Sequence, residues 1–173
     1  MKTLDRLFCV LALLAPASAL ADDALPRPVA DLERLVGEWH GSGSLRAGKD
    51  TAKLAATWSC ARTSAQFGVL CHFRVTGIPG VPSYEETDLL GYEPNAQRYH
   101  WYSVTNAGET HDHVGSGASG DALRFVFKGT QEGKPLEEVI DLGFSSGGRA
   151  VAGKAETFVA GTSVSVMQLS LAK

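Results

Sequence analysis

The chain has 173 residues, of which 44% are hydrophobic, and 16 Lys and Arg against 19 Asp and Glu give a formal net charge of −3. This length suits one globular domain with a substantial core. The slightly acidic balance, without a clustered basic face, argues against nucleic acid and anionic lipid as partners, because both require concentrated positive charge.

The first 21 residues have the pattern of a secretory signal peptide. Lys2 and Arg6 give a positive start, residues 7–15 form an apolar core, and a small-x-small cleavage site ends at Ala21. The apolar core is too short to cross a bilayer, and no later stretch is long enough. We therefore predict a periplasmic or secreted protein whose mature domain covers residues 22–173.

A short helix and a bent strand are predicted to begin the mature domain. Residues 22–28 are polar and contain proline, which indicates a loose tail. Asp31 can cap a helix over residues 32–36, which Gly37 ends. Residues 38–46 then alternate as a strand, and glycines on its apolar face permit the bending and close approach that small barrels need.

Cys60 and Cys71 are the cysteines that remain once the signal peptide is removed. An even count in an exported chain favours a disulfide, and two reduced thiols in the core are the alternative. The segments around both residues alternate as strands. A hairpin register with Cys60 opposite Cys71 also places Trp58 opposite Phe73, and a slip of one residue would lose both pairs.

The middle of the chain predicts a meander. A turn at 93–96 joins extended runs at 84–92 and 99–104, and a second turn at 106–108 returns the chain through residues 111–113. Three consecutive strands joined by short turns are the result.

The glycine-rich segment 115–121 matches G-x-G-x-x-G, but a dinucleotide fingerprint must open a helix. Residues 122–128 alternate as a strand instead, so these glycines are predicted to form a hairpin turn. Further strands are predicted at 136–144, 149–158 and 162–172. We therefore predict an all-β protein, a single antiparallel barrel of about 8–10 strands rather than a sandwich, because a long meander closes most simply on itself.

Two motifs resemble the bacterial DUF1579 family. The first is L-x-x-L-x-G-x-W-x-G-x-G over residues 32–43, and the second is L-G-Y-E-P over 90–94, followed by R-Y and W-Y up to residue 102. Glu93 stands where the family more usually has Asp. The resemblance implies a calycin-like, lipocalin-like barrel of unknown function, and it implies no catalytic residue.

An aromatic interior suits either a small apolar or amphipathic ligand, with haem as a narrower version, or a filled core. Of the acidic cluster Glu137, Glu138 and Asp141, only Glu138 shares a face with apolar neighbours, so only it could point inward with a raised pKa. A solvated strand edge is the favoured interpretation of this cluster. The candidate ligand-binding residues are Trp39, Trp58, Phe73, Tyr99, Trp101 and Glu138.

The histidines suggest a zinc site as a second hypothesis. His111 and His113 are two apart on one strand and share a face. A two-residue turn before them would bring His100 to that face, whereas a three-residue turn would bring Trp101. Three imidazoles and a water could hold zinc, and the alternative is three solvent-facing or singly hydrogen-bonded histidines.

We therefore predict an exported barrel that binds a small molecule, and we do not favour an enzyme. The alternatives are a metal-dependent enzyme at the histidines and an envelope interaction module with a filled barrel. The acidic residues Glu85, Glu86 and Asp88 are interpreted as a solvated strand edge.

Overall fold

The computed structural model describes residues 27–63, 67–116, 121–145 and 147–173. The predicted signal peptide and its cleavage site lie outside this part of the chain. Within it, one short helix precedes ten strands. Their bounds are α1 Arg27–Glu33, β1 Gly37–Ala47, β2 Asp50–Arg62, β3 Gly68–Thr76, β4 Tyr84–Glu93, β5 Arg98–Thr105, β6 Thr110–Ser116, β7 Ala122–Gln131, β8 Lys134–Phe144, β9 Ala150–Val159 and β10 Thr162–Ala172.

The ten strands form one closed antiparallel barrel. Each strand pairs with the next in sequence, and β10 pairs with β1 to close the sheet. Apolar side chains alternate into the interior along most strands, as the sequence pattern requires. The predicted fold class is confirmed. None of the helices in the described residues is long and apolar enough to cross a membrane.

The hairpin of β2 and β3 has the predicted register. Cys60 pairs with Cys71 and the two form a disulfide, while Trp58 pairs with Phe73 on the same inward face. These residues are buried, so the disulfide, the aromatic pair and the core face come from one alignment of two strands.

The seam between β1 and β10 depends on two glycines. Gly41 pairs with Leu171 and Gly43 pairs with Leu169. A Cβ atom on Gly41 would overlap the backbone carbonyl of Ser170, and one on Gly43 would overlap the carbonyl of Gln168. The two backbones approach so closely that no side chain fits between them, which is the close approach predicted for this strand.

The prediction for the helix is partly wrong. Helix α1 (Arg27–Glu33) begins earlier and ends earlier than the predicted span 32–36, and Asp31 lies inside it rather than capping it. Pro28 lies in the first helical turn, where a backbone N–H makes no intrahelical hydrogen bond, so the lack of an N–H on proline costs nothing. Residues 27 and 28, which were predicted to belong to the tail, therefore start the helix.

Helix α1 closes one end of the barrel. Its Val29 and Leu32 are buried against the interior. The chain after it is held by Trp39, whose indole N–H donates a 2.7 Å hydrogen bond to the carbonyl oxygen of Leu35. The burial of these apolar residues gives the barrel a solid core at this end, which separates it from the opposite, open end.

We expect Gly43→Ala to lower the free energy of unfolding by about 1–3 kcal/mol or more, because its methyl group would force β1 away from β10. Urea unfolding followed by tryptophan fluorescence measures the change. Gly143→Ala, on β8, is the matched control, since the nearest atom to its added Cβ is 4.0 Å away. Equal losses for the two variants would contradict the role of the seam.

Candidate functional site

A cavity of about 300 Å³ lies inside the barrel, in the half that faces away from α1. Trp58, Phe73 and Trp101 contribute to its apolar wall, and Glu86 and Glu138 are among its polar groups. The interior is therefore solid at the helix end and hollow at the other. The sequence left a filled barrel and an open barrel as alternatives, and each of them describes one end of the molecule.

The structure places four of the six candidate ligand-binding residues at this cavity, namely Trp58, Phe73, Trp101 and Glu138. Trp39 and Tyr99 are not there. Trp39 is 0% exposed in the closed end, and the Tyr99 hydroxyl donates to Asp31 of α1 at 3.3 Å. These two residues belong to the core, because α1 covers the end of the barrel into which they point.

The apolar wall is built on two stacked indoles. The rings of Trp58 and Trp101 are 5.5 Å apart and inclined by 18°. Phe73 contacts Trp58 edge-on at 6.2 Å, and Phe125 contacts Trp101 edge-on at 5.4 Å. Edge-on neighbours on both sides hold the stacked pair in place, so the wall is a rigid aromatic surface.

Buried polar atoms lie next to these indoles. The indole N–H groups of Trp58 and Trp101 and both carboxyl oxygens of Asp88 have no hydrogen-bond partner within the described chain. Asp88 is 0% exposed. Burial raises the pKa of its carboxyl, and the neighbouring Trp101, Ser103 and Trp58 groups oppose this shift without cancelling it. Asp88 is therefore a buried acid whose surrounding donors stabilise its charge only in part.

The interpretation of Glu86 and Asp88 as a solvated edge is wrong. In the closed barrel β4 is not an edge, and Asp88 pairs with Cys71 on β3 and with Ser103 on β5. Burial raises the pKa of Glu86 to about 8, and the nearby charge of Asp88 adds to the shift. The signal that could have located both residues is their even spacing from Leu90, two residues for Asp88 and four for Glu86, which puts all three on one face of the strand.

The predicted position of His100 is also wrong. Trp101, not His100, pairs with His113, which is the alternative register of this hairpin. His100 lies on the outside, where its Nδ1 is 3.1 Å from Asp112 and its Nε2 is 3.5 Å from Glu93. The three predicted histidines therefore do not form one group.

His111 and His113 meet Glu138 inside the barrel instead. The Nδ1 atom of His111 is 2.8 Å, and the Nε2 atom of His113 is 3.2 Å, from the same Oε2 atom of Glu138. Burial alone would raise the pKa of Glu138, but its hydrogen bonds and charge interactions with His113 and His111 outweigh burial and hold that pKa below its usual range. Glu138 therefore points inward, so the favoured interpretation of it as part of a solvated edge is wrong. The raised pKa expected for an inward Glu138 is also wrong.

No family model and no curated protein matches this chain. Two solved structures are similar to it in fold. The crystal structure of Rv2717c from M. tuberculosis has a TM-score of 0.62 at 14% identity, over 87% of this chain and 99% of that one. The S-type phycobiliprotein lyase CPES from Guillardia theta has a TM-score of 0.55 at 11% identity, over 81% of this chain and 88% of that one. At these identities the likeness shows the fold alone.

The raised pKa of Glu86 predicts a pH dependence of stability. Its folded value of about 8 exceeds the ordinary value of 4.5, so the folded state binds this proton more tightly than the unfolded state. The contribution of Glu86 to the free energy of unfolding should therefore fall as the pH rises from about 4.5 to about 8. The variant Glu86→Gln keeps a neutral group, so its stability relative to the wild type should grow across this window.

Urea midpoints measured through that range test the prediction. Glu85→Gln is the control, because Glu85 is the adjacent exposed carboxylate on the outer face of β4. The difference between this control and the wild type should stay constant with pH. A difference between Glu86→Gln and the wild type that also stays constant would show that Glu86 does not titrate abnormally.

Proposed function

We propose that this protein binds a small amphipathic molecule in the cavity of its barrel. The observation that carries the proposal is the cavity of about 300 Å³, in which the stacked Trp58 and Trp101 meet polar groups. Concave sites with apolar walls and a few converging polar groups are the usual form of small-molecule sites. The unpartnered indole N–H groups and the carboxyl of Asp88 are further polar atoms beside this wall.

The charges around the cavity favour a ligand with a hydrogen-bond donor or a cationic group at one end. Four glutamates line the cavity, Glu86, Glu109, Glu138 and Glu156, against a single lysine, Lys154. That lysine is 2.7 Å from Glu156, so its charge is already paired. With its pKa raised to about 8, Glu86 is largely protonated at neutral pH, so it adds little of this negative charge. A carboxylate ligand would meet repulsion from the other glutamates, whereas an amine or a hydroxyl group would meet acceptors.

The structural neighbours are compatible with this proposal. One of them is by name a phycobiliprotein lyase, and it shares the fold at 11% identity. That identity is too low to transfer its reaction or its substrate. Export of the chain and membership of the DUF1579 family remain predictions, and the cavity weakens the alternative of an interaction module with a filled barrel.

A series of ligands with one tail and three head groups tests the proposal. Octylamine, octanol and octanoate share an eight-carbon chain and differ in charge. We expect saturable binding by isothermal titration calorimetry at neutral pH, weakest for octanoate because of the glutamates. An absence of saturable binding across the series, or tightest binding of octanoate, would contradict the proposal.

The aromatic wall can be tested with matched variants. Trp101→Phe removes the stacked indole, and we expect it to weaken octylamine binding on the order of 2–10-fold. Trp39→Phe makes the same substitution in the closed end and should leave the affinity unchanged. Equal effects of the two variants would show that the ligand does not contact the stacked pair.

A further inference from the structure

We propose that His111, His113 and Glu138 bind a divalent transition-metal ion, with zinc the best match, at the wall of the cavity. This site differs from the histidine group that the sequence suggested, because Glu138 takes the place of His100. The inference goes beyond the binding of a small molecule and does not depend on it.

The three side chains already have the spacing of a metal site. One ligand atom from each, an imidazole nitrogen of His111 and of His113 and a carboxylate oxygen of Glu138, lies within 4.8 Å of the others. Zinc bonds to nitrogen and oxygen of about 2.0–2.2 Å put tetrahedral ligand atoms roughly 3.4 Å apart. The observed separations of 2.8 and 3.2 Å from Glu138 to the two histidines would widen by about 0.6 and 0.2 Å, and ligand atoms that now lie up to 4.8 Å apart would come closer.

Packing holds the two imidazoles in place. The ring of His111 stacks on Phe127 at 4.0 Å and 13°. His113 is 4% exposed and lies 6.3 Å from Trp101. The backbone of Glu138 is fixed by its pairing with Phe127 between β7 and β8, and its carboxylate contacts both imidazoles. The three ligands are therefore already gathered by strand positions, so the ordering that binding requires is small.

The donor set of the group also suits a metal ion, since two imidazole rings 5.7 Å apart flank one carboxylate. A divalent ion is bound by neutral imidazoles and a carboxylate. Glu109 is a further glutamate of the cavity, and its carboxylate attracts a cation.

One side of the group formed by the three residues faces the cavity. His111, His113 and Glu138 all line the cavity, so a fourth ligand position on the metal would face its interior. In the part of the chain that is described, the pairing of β6 with β7 is confined to Val114–Val126 and Gly115–Phe125, which leaves the strands unpaired beside His113. Three protein ligands with an open position are typical of zinc that binds water or a substrate, rather than of structural zinc.

Metal binding by the untagged protein tests the proposal. After treatment with a chelator, the protein should bind one zinc ion per chain in a calorimetric titration. Cobalt in place of zinc should give visible absorption bands of a low-coordinate ion. Because Glu138→Gln and His111→Gln each remove a direct ligand, each should weaken zinc binding by more than the roughly 10–100-fold typical of losing an outer partner.

His100→Gln is the matched control, since His100 is an imidazole on the outside of the same hairpin with carboxylates beside it. It should leave zinc affinity and the cobalt spectrum unchanged. Circular dichroism and thermal unfolding establish that each variant is folded. The proposal is overturned if the wild type shows no saturable zinc binding, or if folded Glu138→Gln and His111→Gln bind zinc as tightly as His100→Gln does.

Discussion

The closure of β1 on β10 is the constraint on which the rest of the structure depends. Gly41 and Gly43 let the first strand approach the last more closely than any side chain would permit. Closure removes the free edges of a ten-strand meander, and it makes one face of every strand an interior face. Because the sheet is closed, the side chains of Glu86, Asp88, His111, His113 and Glu138 point into the barrel.

The interior of the barrel has a packed end and a hollow end. At one end, α1 and the residues packed beneath it fill the barrel, and the disulfide of Cys60 with Cys71 joins two strands near that end. At the other end the side chains leave a cavity. A filled half supplies the buried apolar area that stabilises the fold, and this allows the hollow half to hold polar groups that add nothing to stability.

Two carboxyl groups inside the barrel have pKa values shifted in opposite directions, because their neighbouring groups differ. Glu86 lies near Asp88, and burial together with this like charge raises its pKa to about 8. Glu138 accepts hydrogen bonds from His111 and His113, and its pKa is lowered. The cavity is thus lined by a weakly ionised acid, Glu86, and by an acid with a lowered pKa that lies between two imidazoles, Glu138.

The sequence by itself determined the features that alternation within a strand controls. These are the all-β barrel and the hairpin register that pairs Cys60 with Cys71. Alternation has a period of two and states only which residues of one strand share a face. Whether His100 or Trp101 pairs with His113 depends on the geometry of one turn, which composition does not specify.

Only the tertiary structure decided which inward residues surround the cavity and which are packed away. Trp39 and Trp58 have the same pattern in sequence and pair with each other across β1 and β2, yet Trp39 bonds to Leu35 and Trp58 lines the cavity. The meeting of Glu138 with His111 and His113 was likewise decided by the tertiary structure. These residues lie on β6 and β8, and only the closed, twisted sheet carries their side chains to one point.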